Sequence, residues 1–255
     1  MNLKILGAIV ILAFGSCLGK VKLYTIYTPS HENMYKTYFL PSVPTDCELV
    51  VAFREQNDCP TGAYYSGGWA KMMERKVDVI LRGIRENRGD ILVYADVDIQ
   101  FFRPIEEYLR AELTGYDFVA QQGWPSKTIC AGFLAIRANE ITKQLFEYVK
   151  AHCAKLGDDQ SALNFAIKQP AFAQVKWKLL PYQLFPNGAA VMVDNLVLFQ
   201  NSQNARRNYK RYVPGAKLVI DAGAFLHHAN WCVGTDVKEQ FMADVKAIVA
   251  ARVAK

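Results

Sequence analysis

Residues 91–102 read ILVYADVDIQFF, a continuous apolar run that stops at Asp96 and resumes after Asp98. An uninterrupted run of this kind is typical of a parallel strand that is covered on both faces of a sheet. The strand predicted over residues 91–95 therefore carries two carboxylates at its carboxyl end. Because side chains alternate along an extended chain, Asp96 and Asp98 should project to one side while Val97 points to the other.

The segments around this run alternate between strand and helix patterns. Strands are predicted over residues 21–28, 48–54, 117–121 and 132–136, and strand-like patterns recur at 191–199 and 217–220. Helices are predicted over residues 31–39, 69–86 and 140–152, from about residue 158, and over 237–253. This alternation predicts an α/β fold with a mixed, mostly parallel sheet flanked by helices, and no Pro-, Gly- or Ser-rich linker divides it.

Composition excludes several classes of protein. Apolar residues make up 51% of the 255-residue chain and charged residues 21%, which is enough to build a sizeable core and argues against disorder. The net charge of +6 is spread along the chain. The one dense basic group, Arg206, Arg207, Lys210 and Arg211, is interpreted as a solvated loop, so no nucleic-acid partner is expected.

The N-terminal residues 1–19 have the outline of a targeting segment. Lys4 precedes an apolar stretch over residues 5–14 and the small residues Gly15, Ser16 and Cys17. That stretch is shorter than the roughly 20 residues that a membrane-spanning helix needs. We expect a signal peptide or a short signal anchor, an exported or secretory-pathway protein, and membrane association only through this segment.

Six cysteines offer no zinc-type spacing. A disulfide between Cys47 and Cys59 and a set of reduced, buried thiols are both compatible with the sequence.

The carboxylate pair suits a metal site. Mg²⁺ and Mn²⁺ are commonly held by one or two carboxylates while phosphate oxygens complete the shell. In an open α/β sheet the ligand crevice lies outside the carboxyl ends of the strands, where Asp96 and Asp98 fall. By itself, the D-x-D spacing fits a metal site and a pair of charged residues that simply end a strand equally well.

Four more segments accompany residues 91–102 in order and spacing: GGWAKMMERKVDV (67–79), AGFLAIRAN (131–139), GDDQSALN (157–164) and HHANWCVGTDVK (227–238). Together they resemble the nucleotide-diphospho-sugar transferase family, whose members have a GT-A-type, Rossmann-like fold, and they cover about residues 21–241. The resemblance implies a single GT-A-type domain over residues 20–255, a nucleotide-sugar donor and a Mn²⁺ or Mg²⁺ cofactor.

The resemblance also assigns roles to residues, and each has a plainer alternative. Asp159 and Gln160 would orient the transferred sugar as catalytic residues, although acids at a helix start also serve as caps. Metal would be held by Asp96, Asp98 and one of His227 and His228, the other histidine being structural. Contacts to the nucleotide sugar would come from Tyr27, Thr28, Ser30, Lys76, Asp96, Asp158, Gly234 and Lys238.

Several of the nucleotide-side residues need no ligand to account for them. Tyr27, Thr28 and Ser30 could simply end a strand. Lys76 could lie on an exposed helix face, and Gly234 could form a turn before the last helix.

The predicted function is therefore a metal-dependent glycosyltransferase, of the hexosyl or pentosyl type. It would use a nucleotide-sugar donor, expected to be a UDP-sugar, and a glycan, protein or lipid acceptor. The resemblance implies retention of anomeric configuration, but no residue has to be a covalent nucleophile, so a front-face reaction stays open.

One alternative is a non-catalytic nucleotide- or sugar-binding protein of the same fold. A haloacid-dehalogenase-type phosphohydrolase fits less well, because Gln100 replaces the Thr or Val of that motif.

Overall fold

The computed structural model describes residues 19–55, 58–60, 62, 66–123, 127–193, 196–198, 208–210, 212–232 and 234–253. The strands are β1 (Val21–Tyr27), β2 (Cys47–Phe53), β3 (Ile91–Ala95), β4 (Ile99–Phe101), β5 (Phe118–Gln122), β6 (Ile129–Arg137), β7 (Trp177–Leu179), β8 (Leu196–Leu198), β9 (Asn208–Lys210) and β10 (Leu226–His228). The helices are α1 (Glu32–Met34), α2 (Trp69–Glu86), α3 (Glu106–Glu112), α4 (Glu140–Leu156), α5 (Asp159–Ala166), α6 (Gly188–Val191) and α7 (Thr235–Val253). Residues 1–18 of the predicted targeting segment and the side chains of the basic group at 206–211 lie outside the described residues.

A six-stranded sheet with the order β2-β1-β3-β6-β5-β7 forms the centre of the molecule. Strand β1 pairs in parallel with β2 and β3, β5 pairs in parallel with β7, and β6 runs antiparallel to both β3 and β5. Within the described sheet, β6 is thus the one strand that opposes the other five. The predicted mixed, mostly parallel α/β sheet is confirmed.

Strand β3 is buried on both faces, as its apolar run predicted. Leu92 and Tyr94 face the core formed with α2, α4 and α5. Ile91, Val93 and Ala95 face the opposite core, which includes residues of α3 and of the β4–β10 ribbon. The sheet therefore lies between two apolar layers, and the end of β3 is held rigidly from both sides.

A two-stranded antiparallel ribbon of β4 and β10 lies beyond the end of β3. His228 pairs with Ile99 in this ribbon. A third core, formed in part by Met34, Tyr212 and Phe241, packs under α7 beside the ribbon. This arrangement brings the chain around residue 228 next to the end of β3, 130 residues earlier in the sequence.

Some short elements differ from the sequence predictions. Residues 217–220 form only an isolated bridge between Leu218 and Met192, and residues 188–191 are helical, with a strand only at 196–198. The segment predicted as a helix at 31–39 combines 3-10, α and π turns over 29–42. Elements this short depend on tertiary partners rather than on local pattern, which also explains why β4, β7, β10 and α3 were not anticipated.

Cys47, Cys59, Cys130, Cys153 and Cys232 are buried and are not joined in disulfides, so the possible Cys47–Cys59 disulfide is not formed. Among the described residues no helix is both long enough and apolar enough to cross a bilayer.

Helix α2 lies close to the sheet because it has a glycine at the contact. A Cβ atom added at Gly83 would lie 2.7 Å from Leu92 Cδ1 and 3.2 Å from the Tyr24 ring, and both of these side chains are fully buried. Gly83→Ala gains about 1 kcal/mol of helix propensity but incurs about 1–3 kcal/mol of overpacking. The middle of these ranges is a net loss of about 1 kcal/mol, so we expect the melting temperature to fall by about 2–4 °C, measured by circular dichroism.

Gly67→Ala is the matched control, because a Cβ atom there meets nothing within 4 Å. A Gly83→Ala protein that is more stable than the wild type would show that α2 does not pack closely on the sheet.

Candidate functional site

The carboxylate pair lies in a turn at the carboxyl end of β3. Asp96 accepts a backbone hydrogen bond from Ile99 N (3.2 Å) and donates one from its own N–H to Gly132 O (2.8 Å). Residues 96–98 are therefore not an extended strand, and the expected alternation of side chains is wrong. Asp96 and Asp98 still converge, because the turn redirects the chain while Val97 is buried in the core.

Asp96, Asp98 and His228 form a cluster whose ligand atoms all lie within 4.8 Å of one another. His228 reaches it from β10, with Nε2 at 3.2 Å from Asp98 Oδ1. Carboxylate oxygens and an imidazole nitrogen are ligands suited to Mn²⁺ and similar divalent ions. The donor set fits such a cation, with the remaining coordination positions left to a ligand.

Lys76 connects the carboxylate pair to α5. This side chain on α2 is only 4% exposed, and its Nζ lies 2.9 Å from Asp96 Oδ1 and 3.0 Å from Asp159 Oδ2. Burial acts to lower the pKa of Lys76, but the Asp159 and Asp96 carboxylates outweigh it and raise the pKa. Lys76 is therefore a buried cation between two acids. The alternative prediction, an exposed lysine on a helix face, is wrong.

Lys238 and His228 both bind Asp98. Lys238, on α7, contacts Asp98 Oδ2, and His228 faces Oδ1. Burial opposes ionisation of Asp98, yet Lys238 and His228 hold the pKa of its carboxyl well below the ordinary range. Burial likewise acts to lower the pKa of His228, but Asp98 raises it to about 10. These two side chains neutralise the Asp98 charge.

The structure separates the two histidines. The His227 ring is fully buried, lies edge-on to Phe241 at a centroid distance of 4.7 Å, and makes no hydrogen bond within the described residues. Burial, with the neighbouring His228, lowers the pKa of His227 to about 3. His227 is not brought into the cluster with Asp96 and Asp98, whereas His228 is.

At the start of α5, one acid caps the helix and the next faces the carboxylate cluster through Lys76. Asp158 is the N-cap and accepts a hydrogen bond from Ser161 N. Asp159 is buried beside Lys76, and burial raises the pKa of its carboxyl although Lys76 opposes the rise. Gln160 accepts a hydrogen bond from Ala131 N (3.3 Å), which ties α5 to β6.

The residues after β1 make a polar group beside an aromatic pair. Tyr27 stacks on Tyr35 at 4.2 Å, and the hydroxyls of Thr28 and Ser30 lie 3.2 Å apart. His31 Nδ1 lies 2.9 Å from Ser30 Oγ. Burial and the nearby Lys238 both lower the pKa of His31, which indicates that this group adjoins the carboxylate cluster.

Gly234 has the left-handed conformation (φ 99°) just before α7, and its carbonyl accepts from Lys238 N at 3.1 Å. A glycine is favoured there, because other residues are strained at such φ values. Gly234 therefore shapes the start of the helix that carries Lys238.

Three site residues escaped the sequence analysis. His31 adjoins the cluster, and Tyr94 donates a hydrogen bond to Asp96 Oδ1 at 2.9 Å. Gly132 lets two side chains approach β6, since a Cβ there would overlap the His228 ring and lie 3.0 Å from Asp96 Oδ2. Gly132 begins the strand predicted over residues 132–136 and lies inside the observed β6. A glycine in a strand often marks a close approach of another chain segment, and this is the signal that could have revealed it.

A known protein family matches most of the chain. Residues 46–242 match the family model described as nucleotide-diphospho-sugar transferase. No curated protein sequence matches the chain significantly.

A solved structure with a TM-score above 0.5 shares the fold at low sequence identity. A glycosyltransferase involved in the glycosylation of the major capsid of PBCV-1 is 10% identical with a TM-score of 0.55, over 88% of this chain and 98% of that one. The apo-form glycosyltransferase GlyE of Streptococcus pneumoniae TIGR4 is 12% identical (TM-score 0.46, 65% of this chain), and the match spans 46% of that protein. Mouse xyloside xylosyltransferase 1 is 8% identical (TM-score 0.47), over 82% of this chain and 97% of that one.

Gly132→Ala tests whether the close approach at β6 is needed for cation binding. The added methyl group would push His228 and Asp96 apart, so we expect the Mn²⁺ affinity to fall by about 10–100-fold, as when a ligand's support is lost. Mn²⁺ titration followed by electron paramagnetic resonance measures it.

Gly83→Ala is the control, because it crowds the sheet away from the cluster and should leave Mn²⁺ affinity unchanged. Equal affinities in the wild type and Gly132→Ala would contradict the assignment of His228 and Asp96 to one metal site.

Proposed function

The chain belongs to the nucleotide-diphospho-sugar transferase family, and from that membership we propose that it is a metal-dependent glycosyltransferase. It would transfer a sugar from a nucleotide-diphosphate donor, in our proposal a UDP-sugar, to a glycan, protein or lipid acceptor. The observation that carries the proposal is the convergence of Asp96, Asp98 and His228 at the carboxyl end of β3. Open α/β sheets bind their ligands at such an edge.

The donor would lie across this edge, with its parts met by different segments. The aromatic Tyr27 and the hydroxyls of Thr28 and Ser30, at the end of β1, suit a base and a ribose. Asp96, Asp98 and His228 would hold a Mn²⁺ or Mg²⁺ ion against the diphosphate. Lys238 contacts Asp98. Its ammonium group would therefore lie beside a diphosphate that is bound to the same cation, and this supports the placement of the diphosphate here.

The transferred sugar would lie between β3 and α5. Asp159 is held by Lys76, and Gln160 by the backbone of Ala131, so both side chains are preorganised at one helix start. A carboxylate and an amide in fixed positions suit hydrogen bonding to sugar hydroxyls. We therefore assign Lys76 to the sugar side of the donor, where it orients Asp159.

The reaction breaks the bond between the sugar and the diphosphate through an oxocarbenium-like transition state. A bound divalent cation would supply stabilisation of the negative charge that grows on the leaving diphosphate. Lys238 adds a second positive charge on the same side. The residues of α5 orient the sugar, and we propose that the anomeric configuration is retained.

The test is a turnover assay with Mn²⁺, a panel of nucleotide sugars and candidate acceptors, in which released nucleoside diphosphate is measured. We expect EDTA to abolish turnover and Asp98→Asn to lower it by at least about 100-fold, because the charge-stabilising site loses its central ligand. Nuclear magnetic resonance of the glycosylated product reports the anomeric configuration.

Asp78→Asn is the matched control, since this aspartate on α2 is about half exposed and pairs only with Lys150 among the contacts described. Turnover that resists EDTA, with equal rates in the two variants, would overturn metal dependence. Mn²⁺-dependent donor binding without any acceptor-dependent release would instead identify a non-catalytic nucleotide-sugar-binding protein.

We also propose that residues 1–19 direct export, on the strength of the apolar stretch and small residues noted above. Expression in a secreting host followed by N-terminal sequencing should give a mature chain that starts near residue 20. An exported chain that begins at Met1 would indicate an uncleaved anchor, and a chain retained in the cytoplasm would contradict export.

A further inference from the structure

Gln121 is a fully buried amide on β5 that the proposed mechanism does not use. It lies where the pairing of β5 with β6 shifts register, because Ala120 pairs with Leu134 but Gln121 pairs with Cys130. The bulge leaves residues 131–133 of β6 without Cα partners on β5. Gly132, among them, is the residue that the His228 ring approaches. Gln121 thus faces the space behind the His228 ring.

The orientation of the Gln121 amide is set by two backbone carbonyls. Its Nε2 donates to Phe185 O and to Pro186 O, each at 3.1 Å. The reversed orientation would place the amide oxygen against two acceptors and leave buried groups without partners. The amide oxygen must therefore point the other way.

That oxygen lies 2.8 Å from His228 Nδ1. An amide oxygen can only accept, so the shared proton must be on Nδ1. The Cys130 thiol also lies near Nδ1, but at 3.7 Å it is the more distant partner. Pro186 O additionally accepts from the His228 backbone N–H at 3.2 Å, so one peptide segment anchors both Gln121 and the His228 main chain.

We propose that Gln121 is a positioning residue for His228: it keeps a proton on Nδ1 and turns Nε2 toward Asp96 and Asp98, so that Nε2 is the nitrogen that binds the cation. The ligand nitrogen of a metal-bound histidine is commonly determined by the hydrogen bond that the other nitrogen makes. This inference rests on the proposed metal-dependent function, and it adds the residue that fixes the histidine.

The first experiment measures Mn²⁺ affinity of the purified full chain by electron paramagnetic resonance, without any sugar substrate. Gln121→Leu removes the acceptor, and we expect the affinity to fall by about 10–100-fold. Gln100→Leu is the matched control, because Gln100 is equally buried on β4 but its Oε1 makes no hydrogen bond in the described part of the chain. That control should bind Mn²⁺ like the wild type.

Gln121→Glu separates positioning from folding. A glutamate in either protonation state can still accept from Nδ1–H, whereas an ionised one loses both donations to the carbonyls of Phe185 and Pro186. We expect lower thermal stability than the wild type but a Mn²⁺ affinity within about threefold of it, that is, rescue relative to Gln121→Leu. An affinity loss in Gln121→Glu equal to that in Gln121→Leu would overturn the positioning role.

Nitrogen-15 spectra of the histidine rings, with Zn²⁺ as a diamagnetic probe, read the tautomer directly. In the wild type, His228 should show a protonated Nδ1 and a metal-shifted Nε2, while His227 is unchanged by Zn²⁺ and serves as an internal control. In Gln121→Leu we expect both His228 tautomers.

Wild-type spectra with the metal on Nδ1, or Gln121→Leu spectra and affinity equal to wild type, would overturn the role of Gln121 and leave the metal site standing. A wild-type chain that binds neither Mn²⁺ nor Zn²⁺ at His228 would overturn the metal site itself, and this role of Gln121 with it.

Discussion

The structure depends on neutralising three buried or partly buried carboxylates that lie around the carboxyl end of β3. Asp96, Asp98 and Asp159 lie together in a region where an unpaired charge would be costly. Each acid contacts a cation brought from a distant segment, namely Lys76 from α2, Lys238 from α7 and His228 from β10. These ion pairs tie both sides of the sheet to the carboxyl end of β3.

The same charge balance explains how the site can accept a ligand. Lys76 and Lys238 contact carboxylates that we assign to a cation and a sugar. A divalent ion on Asp96, Asp98 and His228 would take over the neutralisation of two acids, so that Lys238 becomes available to a diphosphate. Lys238 and the cation would then be successive partners of Asp98, while Lys76 would stay between Asp96 and Asp159, so no buried charge would have to be left unpaired.

Much of this arrangement could be predicted from the sequence, and the reasons are physical. The apolar run before Asp96 and the helical spacing of apolar residues at 69–86 indicate which residues are buried. For this reason, β3 and α2 were predicted with the same bounds that the structure shows. The rest depends on contacts between distant segments. Nothing local at residues 226–228 indicates a strand, and the environment of Lys76 appears only when α2 is placed on β3. The choice of His228 over His227 follows from the pairing of β10 with β4, which no periodicity encodes.

The convergence of Asp96 and Asp98 shows how a correct expectation can rest on an incorrect mechanism. Strand alternation predicted that the two acids would share a side, but the chain turns at residues 96–98, and the turn is held by hydrogen bonds from Ile99 N and to Gly132 O. A turn places the acids by backbone contacts with β6, so their separation depends on a neighbouring strand. Gly132 on β6 therefore has two functions, since its carbonyl fixes Asp96 and its missing side chain admits His228. The geometry of the proposed metal site is thus a property of β6 as much as of the D-x-D sequence itself.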